Sequence, residues 1–269
     1  MINLTLDLHL HGEYAGGTSD NYPPTLEGYV QQAIIQGINI IGSADCLHRK
    51  WFEDIREETK FDRESGLLYI PEHPSVSIML TSEVNCRWGK GKQAHILLVF
   101  PTKISIIKQT MDIVEANGNN NDGRPDVLFS PKELYDVIRT LSPAILFIPA
   151  HVLTPWFGIL GSKVGYKSVA EAFKGFIPDA LETGLSADTD MVEQLTDLPL
   201  VSFSDAHSCK NLGREVTCMS IREITYDNIV RKIRAGEIGT IEHIPQLGKY
   251  YWTGCRKCGW QMEGDVGND

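Results

Sequence analysis

Histidine and acidic side chains follow apolar stretches throughout the chain, in spacings suited to holding a cation. The first instance is the segment "LTLDLHLH", in which leucines at 4, 6, 8 and 10 alternate with Thr5, Asp7, His9 and His11. This period of two predicts a strand with one apolar face and one face of imidazoles and carboxylate. Two histidines at i, i+2 are costly to bury without partners, so the pattern indicates that each has a binding partner.

The same residue types recur at the ends of later strand-like segments. Asp205 and His207 again stand at i, i+2, at the end of "LVSFSDAH", and His95 opens its segment instead of closing it. Catalytic groups of parallel α/β barrels gather at the C-terminal ends of the strands, so we expect these side chains to converge. Together with His9 and His11, the set comprises Asp45, Glu83, His95, His151, Glu182, Asp205 and His207.

The chemistry that this set favours is binding of divalent metals. Neutral imidazole and carboxylate suit Zn, Mn or Fe, and a carboxylate such as Glu83 can bridge two ions for in-line attack at phosphorus. Asp7, on the same strand face as His9, is expected to accept an imidazole N–H from outside the ligand set. The alternative is that each histidine is an isolated core residue. That interpretation is the better one for any single histidine, but not for the whole set.

Alternation of strand-like and helix-like segments supplies the scaffold for these side chains. Ser130–Glu133 forms a capping box with Pro131 at the first helical position, and Ser168, Thr25 and Thr225 also open helices. Such alternation predicts a mainly parallel sheet with helices outside it, either as a barrel or as an open sheet. Residues 116–126 are expected to form an exposed loop. The strand candidates are residues 3–11, 38–44, 77–85, 94–100, 144–150, 179–183 and 199–205.

Composition narrows the class of protein. The 269 residues are 42% hydrophobic, enough for one large domain or two small ones, and no apolar run approaches a membrane span. Four cysteines without disulfide-like spacing and an N-terminus that starts as a strand favour the cytoplasm. The net charge of −10 argues against a protein that coats nucleic acid non-specifically. It does not exclude DNA binding, because bound cations can offset an acidic pocket.

The C-terminal tail contains half of a structural zinc site. Cys255 and Cys258 form a CxxC knuckle, which supplies two of the four ligands that such a site requires, and the eleven residues after Cys258 include no further Cys or His. The chain is truncated, or a partner chain completes the site with a structural Zn, or the knuckle is vestigial. The tail therefore divides the chain into two expected parts. Residues 1–247 form the metal-dependent hydrolase barrel, and residues 248–269 form a short zinc-knuckle-like tail.

Several motifs resemble those of the polymerase and histidinol phosphatase (PHP) superfamily. They are Asp7–His11, Ser43–His48, the segment around Glu83, Pro149–Trp156 and Ser204–Ser208. The resemblance implies a distorted TIM-like (β/α)7 barrel that hydrolyses phosphoesters with two or three divalent metals (Zn, Mn, Mg or Fe). The implied metal ligands are His9, His11, Glu83, His95, His151, Asp205 and His207, with Asp45 of the second motif as a further candidate.

The second of these motifs departs from the family pattern. The superfamily usually has Thr-Asp-His there, whereas Asp45 is followed by Cys46, with His48 two residues later. Either Asp45 serves alone, or Cys46 or His48 takes the missing place. The ligand usually found shortly after the first two histidines also has no match around residues 13–16. The third metal position is therefore open.

A narrower resemblance, to the endonuclease Q family, covers nearly the whole chain. It lies in Asp122–Pro125, Pro149–Tyr166, Glu182–Asp188, the segment up to Glu215, and Gly248–Gly259. It implies an enzyme that nicks DNA on the 5′ side of a deaminated or abasic nucleotide, so that DNA with altered bases is the expected partner.

Residues near the expected metals have two interpretations each. Trp156 and Phe157 either stack on a base or wedge the duplex, or they pack against the barrel rim. Glu182 is either a pocket residue or a capping carboxylate. Candidates for phosphate contacts, with ordinary surface charge as the alternative, are Arg124, Lys163, Arg214 and Lys249.

Three functions follow from the sequence. The first is a metal-dependent endonuclease acting on altered DNA, with Asp205, His207 and His151 as catalytic candidates. The second is a small-molecule phosphoesterase of the histidinol phosphatase type. The third is a PHP subunit of a larger nucleic-acid-processing or defence complex, in which a protein partner completes the zinc site.

Overall fold

The structure is a computed structural model that describes residues 1–18, 23–254 and 261–263, with side chains up to residue 251. Cys255 and Cys258 lie outside the described residues, so the zinc knuckle and the 247/248 boundary stay predictions. The helices are α1 (Leu26–Gln36), α2 (Arg49–Glu58), α3 (Ile104–Ala116), α4 (Pro131–Leu141), α5 (Val169–Phe173), α6 (Thr189–Glu193) and α7 (Tyr226–Arg234). Two short 3₁₀ turns cover Cys209–Asn211 and Pro245–Leu247.

Fifteen strands are described, and each of the seven strand candidates overlaps one of them. They are β1 (Ile2–Asp7), β2 (Ile40–Asp45), β3 (Lys60–Phe61), β4 (Leu68–Tyr69), β5 (Ser77–Trp88), β6 (Lys92–Phe100), β7 (Gly118–Asn119), β8 (Asp126–Val127), β9 (Leu146–Pro149), β10 (Leu181–Glu182), β11 (Leu200–Val201), β12 (Val216–Ile221), β13 (Gly239–Ile241), β14 (Trp252–Gly254) and β15 (Gln261–Glu263).

The α/β class is confirmed, but the main sheet is mixed where a mainly parallel one was expected. β1, β2 and β5 are parallel neighbours, whereas β5–β6, β6–β9 and β1–β12 are antiparallel. For β5 and β6 the physical reason is the short turn between them, which allows a hairpin and leaves no room for a parallel crossover. None of the sheets formed by the described residues closes on itself, so the expected barrel closure is not confirmed.

Side-chain caps place the helix ends where the sequence predicted them. Thr25, Ser168 and Thr225 each accept a hydrogen bond from the backbone N–H three residues later, and Ser130 forms a complete capping box with Glu133. Caps of this kind satisfy the N–H groups that a helix start leaves unpaired. Local sequence therefore suffices to predict where these helices begin.

Both faces of the first strand segment are buried. Leu4, Leu6 and Leu8 pack in one of two hydrophobic clusters, each burial contributing roughly 1.5–3 kcal/mol. His9 and His11, which continue the polar face, are also fully buried. The imidazoles are thus enclosed by the fold, which requires partners for their nitrogen atoms.

Residues 116–126 were expected to form an exposed loop, and this prediction is wrong for the second half of the segment. Gly123 and Pro125 are buried, and the Pro125 carbonyl accepts a hydrogen bond from the Asn85 N–H at 2.9 Å. β8 then pairs with the end of β5 in parallel, because β5 extends beyond its partner β2 and offers free backbone groups.

Among the described residues, no helix has the length and apolar character that a bilayer crossing requires.

Candidate metal centre

Glu83, in the middle of β5, is the carboxylate around which four histidines assemble. Its Oε1 lies 2.8 Å from His95 Nδ1, 3.1 Å from His151 Nε2 and 3.3 Å from His9 Nε2. Its Oε2 lies 3.5 Å from His11 Nε2. The Glu83 side chain is 1% exposed. One buried carboxylate is therefore shared by imidazoles from three separate parts of the chain.

Asp205 and His207 form the second half of the cluster. Asp205 Oδ1 lies 3.1 Å from His11 Nε2 and 3.5 Å from His207 Nδ1, and the tilted rings of His11 and His207 have centroids 4.3 Å apart. All seven residues fall into three overlapping groups whose potential ligand atoms lie within 4.8 Å of one another. These groups are His9–His11–Glu83, His11–Asp205–His207 and Glu83–His95–His151.

The position of His95 follows from the antiparallel pairing of β5 and β6. His95 lies near the start of its strand, whereas Glu83 lies in the middle of β5 and the other candidates stand at or after the C-terminal ends of strands. Because β6 runs against β5, its N-terminal part lies beside the C-terminal part of β5, and His95 pairs with Asn85. The exception in the sequence pattern therefore reaches the same site as the rest.

Unusual backbone conformations aim two of these side chains. His151 has φ of 30° and Asp205 has φ of 47°, in the left-handed region that non-glycine residues rarely adopt. Gly184, with φ of 85°, approaches His151 so closely that a Cβ on it would stand 2.5 Å from the His151 Cβ. Arg214 donates to the carbonyl oxygens of Ser204 and Asp205, at 3.0 Å and 3.3 Å. Arg214 thus holds the backbone that presents Asp205.

Glu182 orients both His9 and His151. His9 Nδ1 lies 2.9 Å and 3.0 Å from the two Glu182 oxygens, and Glu182 Oε2 also accepts the His151 N–H at 2.9 Å. A histidine tied through Nδ1 to a carboxylate presents Nε2 to a metal in a fixed orientation. Of the two interpretations of Glu182 from the sequence, the structure favours a residue of the site.

Asp45 stands behind His11. Its Oδ1 lies 3.3 Å from His11 Nδ1, and its Oδ2 accepts the Gly12 N–H at 2.6 Å. Asp45 is not part of any of the three groups, so its role as a ligand stays a prediction. Like Glu182 beside His9, it places a carboxylate next to a ring nitrogen, although Asp45 and His11 are not hydrogen-bonded to each other.

Asp7 has a different function from the one expected. Its carboxylate oxygens accept the N–H groups of Ser204 and Gly213, at 3.0 Å and 2.8 Å, and not an imidazole N–H. The expectation of an imidazole contact was therefore wrong, because the Asp7 side chain leaves β1 toward the segment before β12. Burial raises the pKa of Asp7 to about 6, against the opposing effect of these hydrogen bonds.

Cys46 and His48, the two possible replacements in the second motif, both lie outside the cluster. Cys46 is buried among apolar side chains, which raises the pKa of its thiol well above the ordinary value. His48 Nδ1 caps α2 by accepting the Trp51 N–H at 3.3 Å, and its ring stacks on Tyr14. Neither belongs to the three groups formed by the described residues.

The electrostatics of the cluster favour bound positive charge. Burial alone lowers the pKa of His9, but the Glu182 and Glu83 carboxylates outweigh burial and hold the pKa well above its ordinary value. Burial likewise opposes protonation of His11, yet Asp45 and Asp205 raise its pKa to about 9. Burial raises the pKa of Glu83 by itself, but His95 and His9 bring it well below the ordinary range. The buried carboxylates therefore favour positive charge at His9 and His11, as a bound cation would supply.

Unpartnered nitrogen atoms show that the residues fit a metal. Within the described part of the chain, several buried polar atoms of the cluster have no hydrogen-bond partner, which is costly unless another ligand satisfies them. The nitrogen and oxygen donors suit Zn, Mn or Fe. These atoms are His9 Nε2, both ring nitrogens of His11, His95 Nε2, His151 Nδ1 and Asp45 Oδ1.

Of the other expected substrate-binding residues, besides Glu182 and Arg214, Arg124 and Phe157 reach the cluster. Arg124 Nη1 lies 3.3 Å from Glu83 Oε2, and the Phe157 ring packs on His95 with centroids 4.6 Å apart. Trp156 is 49% exposed beside them. Lys163 and Lys249 are exposed on the surface, and Lys249 Nζ lies 5.0 Å from the ring centroid of Tyr250.

A cavity of about 300 Å³ adjoins the cluster and was not anticipated from the sequence. Asn85, Gln93, His95, Arg124 and Phe157 contribute to its lining. The signal that could have revealed it is the alternation in "SEVNCRW", which continues the polar face of β5 from Glu83 through Asn85 to Arg87.

Comparison with known proteins shows which sequences and structures this chain resembles. No protein-family model matches the chain. The uncharacterized protein YqxK of Bacillus subtilis is 28% identical over 242 residues, 83% of this chain and 59% of YqxK. The lesion-specific endonuclease Q of Pyrococcus furiosus superposes with a TM-score of 0.81 at 27% identity, over 97% of this chain and 64% of that protein.

Two further structures extend the comparison. Endonuclease Q in complex with a 27-mer duplex that carries an abasic lesion at the active site gives a TM-score of 0.84 at 28% identity, over 97% of this chain and 65% of that one. A Bacteroides vulgatus two-domain protein containing a predicted PHP-like metal-dependent phosphoesterase gives 0.56 at 13% identity, over 90% and 65%, a likeness of fold alone. The chain spans less than two thirds of the length of each of these relatives. The resemblance to endonuclease Q is confirmed, and the likeness to the PHP-like phosphoesterase is one of fold.

Proposed function

We propose that this chain, a PHP-type protein similar to endonuclease Q, is a metal-dependent endonuclease. It would hydrolyse the phosphodiester on the 5′ side of a deaminated, abasic or otherwise altered nucleotide in DNA. The observation that carries the proposal is the convergence of four histidines on Glu83, next to a cavity and under a fold similar to endonuclease Q over 97% of the chain.

The three overlapping groups suit two or three divalent ions, such as Zn, Mn, Mg or Fe. Glu83 and His11 each belong to two of the groups, so Glu83 is suited to bridging two ions. When bound, divalent metals supply a water with a pKa of about 7 and stabilise charge on the phosphoryl oxygens. The protein's part is to hold these ligands in place through Glu182, Asp45 and the turns at His151 and Asp205.

Exposure indicates from which side the substrate approaches. His9 and His11 are enclosed, whereas the side chains of Asp205 and His207 are 32% and 28% exposed. Asp205 and His207 are therefore placed to meet the scissile phosphate and to carry a proton, and His151, 10% exposed, lies further inside. The Arg124 guanidinium lies beside the Glu83 carboxylate, where it can also contact a phosphate oxygen.

A basic hairpin beside the cavity favours DNA as the substrate. Arg87, Lys90 and Lys92 are exposed within six residues at the turn between β5 and β6, in a chain whose net charge is −10. Trp88 stacks on Tyr166 with centroids 5.8 Å apart, and Lys92 Nζ lies 5.5 Å from the same ring centroid. Clustered cations beside aromatic rings suit phosphate contacts and base stacking.

A small-molecule phosphoesterase is the second candidate. The acidic net charge and the modest size of the cavity, about 300 Å³, favour a small substrate. The basic hairpin opposes it, since a small phosphate ester would not reach from Glu83 to the end of the hairpin. The third candidate function, a subunit of a larger complex, depends on the zinc knuckle of Cys255 and Cys258, which lie outside the described residues.

The test separates these functions directly. The purified chain is incubated with Mn, Mg or Zn and with labelled duplexes that contain one uracil, hypoxanthine or abasic site, beside an undamaged duplex and a phosphomonoester. A single nick next to the lesion supports the endonuclease. Phosphate release from the monoester with intact DNA supports the phosphoesterase and contradicts our proposal.

A pair of histidine variants shows whether the cluster is responsible. His9→Ala removes a shared ligand, so nicking should fall below detection while the far-UV circular dichroism spectrum is unchanged. His73→Ala is the matched control, because His73 lies in the loop before β5 and outside the three groups. Nicking at the wild-type rate by His9→Ala, or in buffer freed of metal by a chelator, would exclude a catalytic cluster.

A further inference from the structure

A chain of hydrogen bonds runs along the wall of the cavity from Arg87 to Gln93. Arg87 Nη1 donates to Asp126 Oδ2 at 3.0 Å, and Asp126 Oδ1 accepts from Asn85 Nδ2 at 2.6 Å. Asn85 Nδ2 also donates to Gln93 Oε1 at 3.2 Å. Asn85 is 7% exposed, so this central amide is almost fully enclosed.

Chemistry fixes the direction of this chain. A carboxylate paired with a guanidinium only accepts hydrogen bonds, so the NH₂ group of Asn85 must face Asp126. The same NH₂ group donates to Gln93, so Gln93 must turn its carbonyl oxygen toward Asn85. Gln93 Nε2 is left as a donor, and it makes no hydrogen bond within the part of the chain that the structure describes. Gln93 lines the cavity and is partly exposed.

The cavity adjoins the metal centre on the same face of the β5–β6 hairpin. Glu83, Asn85 and Arg87 alternate on β5, and they face His95 and Gln93 on β6, where Asn85 pairs with His95 and Arg87 pairs with Gln93. Residues two apart on a strand are separated by about 7 Å. If the scissile phosphate is held at Glu83, the base of the altered nucleotide would therefore lie beside Asn85 and Gln93. The Phe157 ring lines the same cavity and offers an apolar face.

Deamination changes the hydrogen-bonding character of the base at one atom. It replaces the amino group of cytosine or adenine, a donor, with the carbonyl oxygen of uracil or hypoxanthine, an acceptor. We infer that Gln93 is a specificity-determining residue of this chain, which donates from Nε2 to the carbonyl oxygen that deamination creates, with Asn85 and Asp126 as positioning residues. The inference rests on the proposed function and adds the base that the cavity selects.

Unaltered cytosine and adenine meet the wrong group in this cavity. An amino group facing Gln93 Nε2 sets donor against donor, and a buried polar group without a partner discriminates strongly between similar ligands. Guanine and thymine also carry a carbonyl oxygen at this position, and their stable pairing in the duplex raises the cost of flipping them out. An abasic site has no base, so it enters without contacting Gln93. This difference provides an internal control.

The test uses the full chain and four duplexes of one sequence. They carry uracil opposite guanine, hypoxanthine opposite thymine, an abasic site, and cytosine in a C·A mismatch, which is equally easy to open. For Gln93→Met, which keeps the length of the side chain and removes the donor, we expect kcat/KM to fall at least tenfold at uracil and hypoxanthine, about the loss of one hydrogen bond to a buried group. Nicking at the abasic site should change less than twofold. Gln31→Met, on the exposed face of α1, is the matched control.

A second variant tests the direction of the hydrogen-bond chain. In Asp126→Asn, the new amide can donate to Asn85 Oδ1, which allows Asn85 and Gln93 to turn and present Gln93 Oε1 to the cavity. The ratio of nicking at uracil to nicking at the mismatched cytosine should then fall, again with abasic nicking retained.

Several outcomes would overturn the inference. Equal loss at uracil and at the abasic site in Gln93→Met would make Gln93 a support of the metal centre and not a reader of the base. Unchanged uracil nicking in Gln93→Met, or wild-type protein that nicks uracil and mismatched cytosine alike, would exclude it while leaving the proposed endonuclease intact. A chain that nicks none of the duplexes would overturn the proposed function and this inference with it.

Discussion

His9 and Glu182 are 173 residues apart in the chain, yet His9 Nδ1 lies 2.9 Å from Glu182 Oε1. The second Glu182 oxygen also accepts the His151 N–H, so one carboxylate orients the ring of one histidine and the backbone of another. Both histidines then present a nitrogen to Glu83. The geometry of the cluster therefore depends on a residue that does not itself belong to any of the three ligand groups.

Replacing Glu182 with Gln should weaken the metal centre without removing a ligand. The amide keeps one acceptor, but its NH₂ group opposes either the His9 N–H or the His151 N–H. Loss of such an outer partner typically costs 10–100-fold in metal affinity or activity, and we expect a loss in this range. Titration of the protein with metal, measured by calorimetry, gives the affinity and checks this loss. Glu193→Gln, an exposed residue on α6, is the control, and equal affinities in the two variants would contradict the role of Glu182.

Gly184→Ala should displace His151. Gly184 has φ of 85°, and a Cβ there would meet the His151 Cβ at 2.5 Å, so the variant combines backbone strain with a steric clash. We expect a loss of about 1–3 kcal/mol in the free energy of unfolding and at least tenfold lower activity. Urea unfolding and a nicking assay measure the two effects.

The Gly236→Ala variant separates the effect of backbone strain from the effect of displacing His151. Gly236 also has positive φ, 66°, but a Cβ there would find its nearest neighbour at 3.8 Å. This variant should lose stability through backbone strain and keep its activity. If both variants lose activity to the same extent, the contact between Gly184 and His151 is not what positions the histidine.

Stability should fall as pH rises because of Glu215. This buried carboxyl binds Ser202 and the His243 N–H, and burial raises its pKa to about 8 from an ordinary 4.5 despite these hydrogen bonds. The folded state therefore favours the protonated acid. Its stabilising contribution is complete below about pH 4.5 and is lost as the pH rises toward 8, by at most about 1.4 kcal/mol per pH unit.

The Glu215→Gln variant isolates this contribution. Its free energy of unfolding should decline less between pH 5 and pH 8 than that of the wild type, as measured by urea denaturation at both values. An exposed carboxyl such as Glu193 should show no such difference when it is changed to Gln. Parallel pH profiles for wild type and Glu215→Gln would contradict the prediction.

The basic hairpin should contribute to DNA affinity through phosphate contacts. Changing Lys90 and Lys92 together to Ala removes two exposed cations near the cavity. We expect weaker binding to every duplex regardless of the lesion, and a smaller slope of log Kd against log salt concentration, by about one unit per lost contact. Fluorescence anisotropy between 50 and 200 mM salt measures both.

Lys60→Ala, on the edge strand β3, is the control for the hairpin variant. It should leave the affinity and its salt dependence unchanged, because β3 lies outside the surface formed by the hairpin and the cavity. An equal effect of the two variants would mean that DNA responds to the net charge of the protein and not to the hairpin.

Local sequence was sufficient to predict the positions of seven of the fifteen described strands, the helix caps and the residue types of the site. Alternation along β1 indicates which face is polar, and Ser130 followed by Glu133 specifies a helix start, because both signals depend on neighbours a few residues apart. The seven side chains that meet around Glu83 and Asp205 were also identifiable, since strand ends share one edge of a sheet.

Only the tertiary structure decided which atoms meet. Glu182 binds His9, Asp7 binds backbone and not an imidazole, and Gln93 turns its oxygen toward Asn85. Each of these contacts joins strands whose relative direction and register follow from packing over the whole chain, as with β6, whose antiparallel pairing brings His95 to the site. Periodicity describes one strand at a time. The partner across a sheet, or across 173 residues, is chosen by the global burial of apolar side chains and the pairing of buried polar groups.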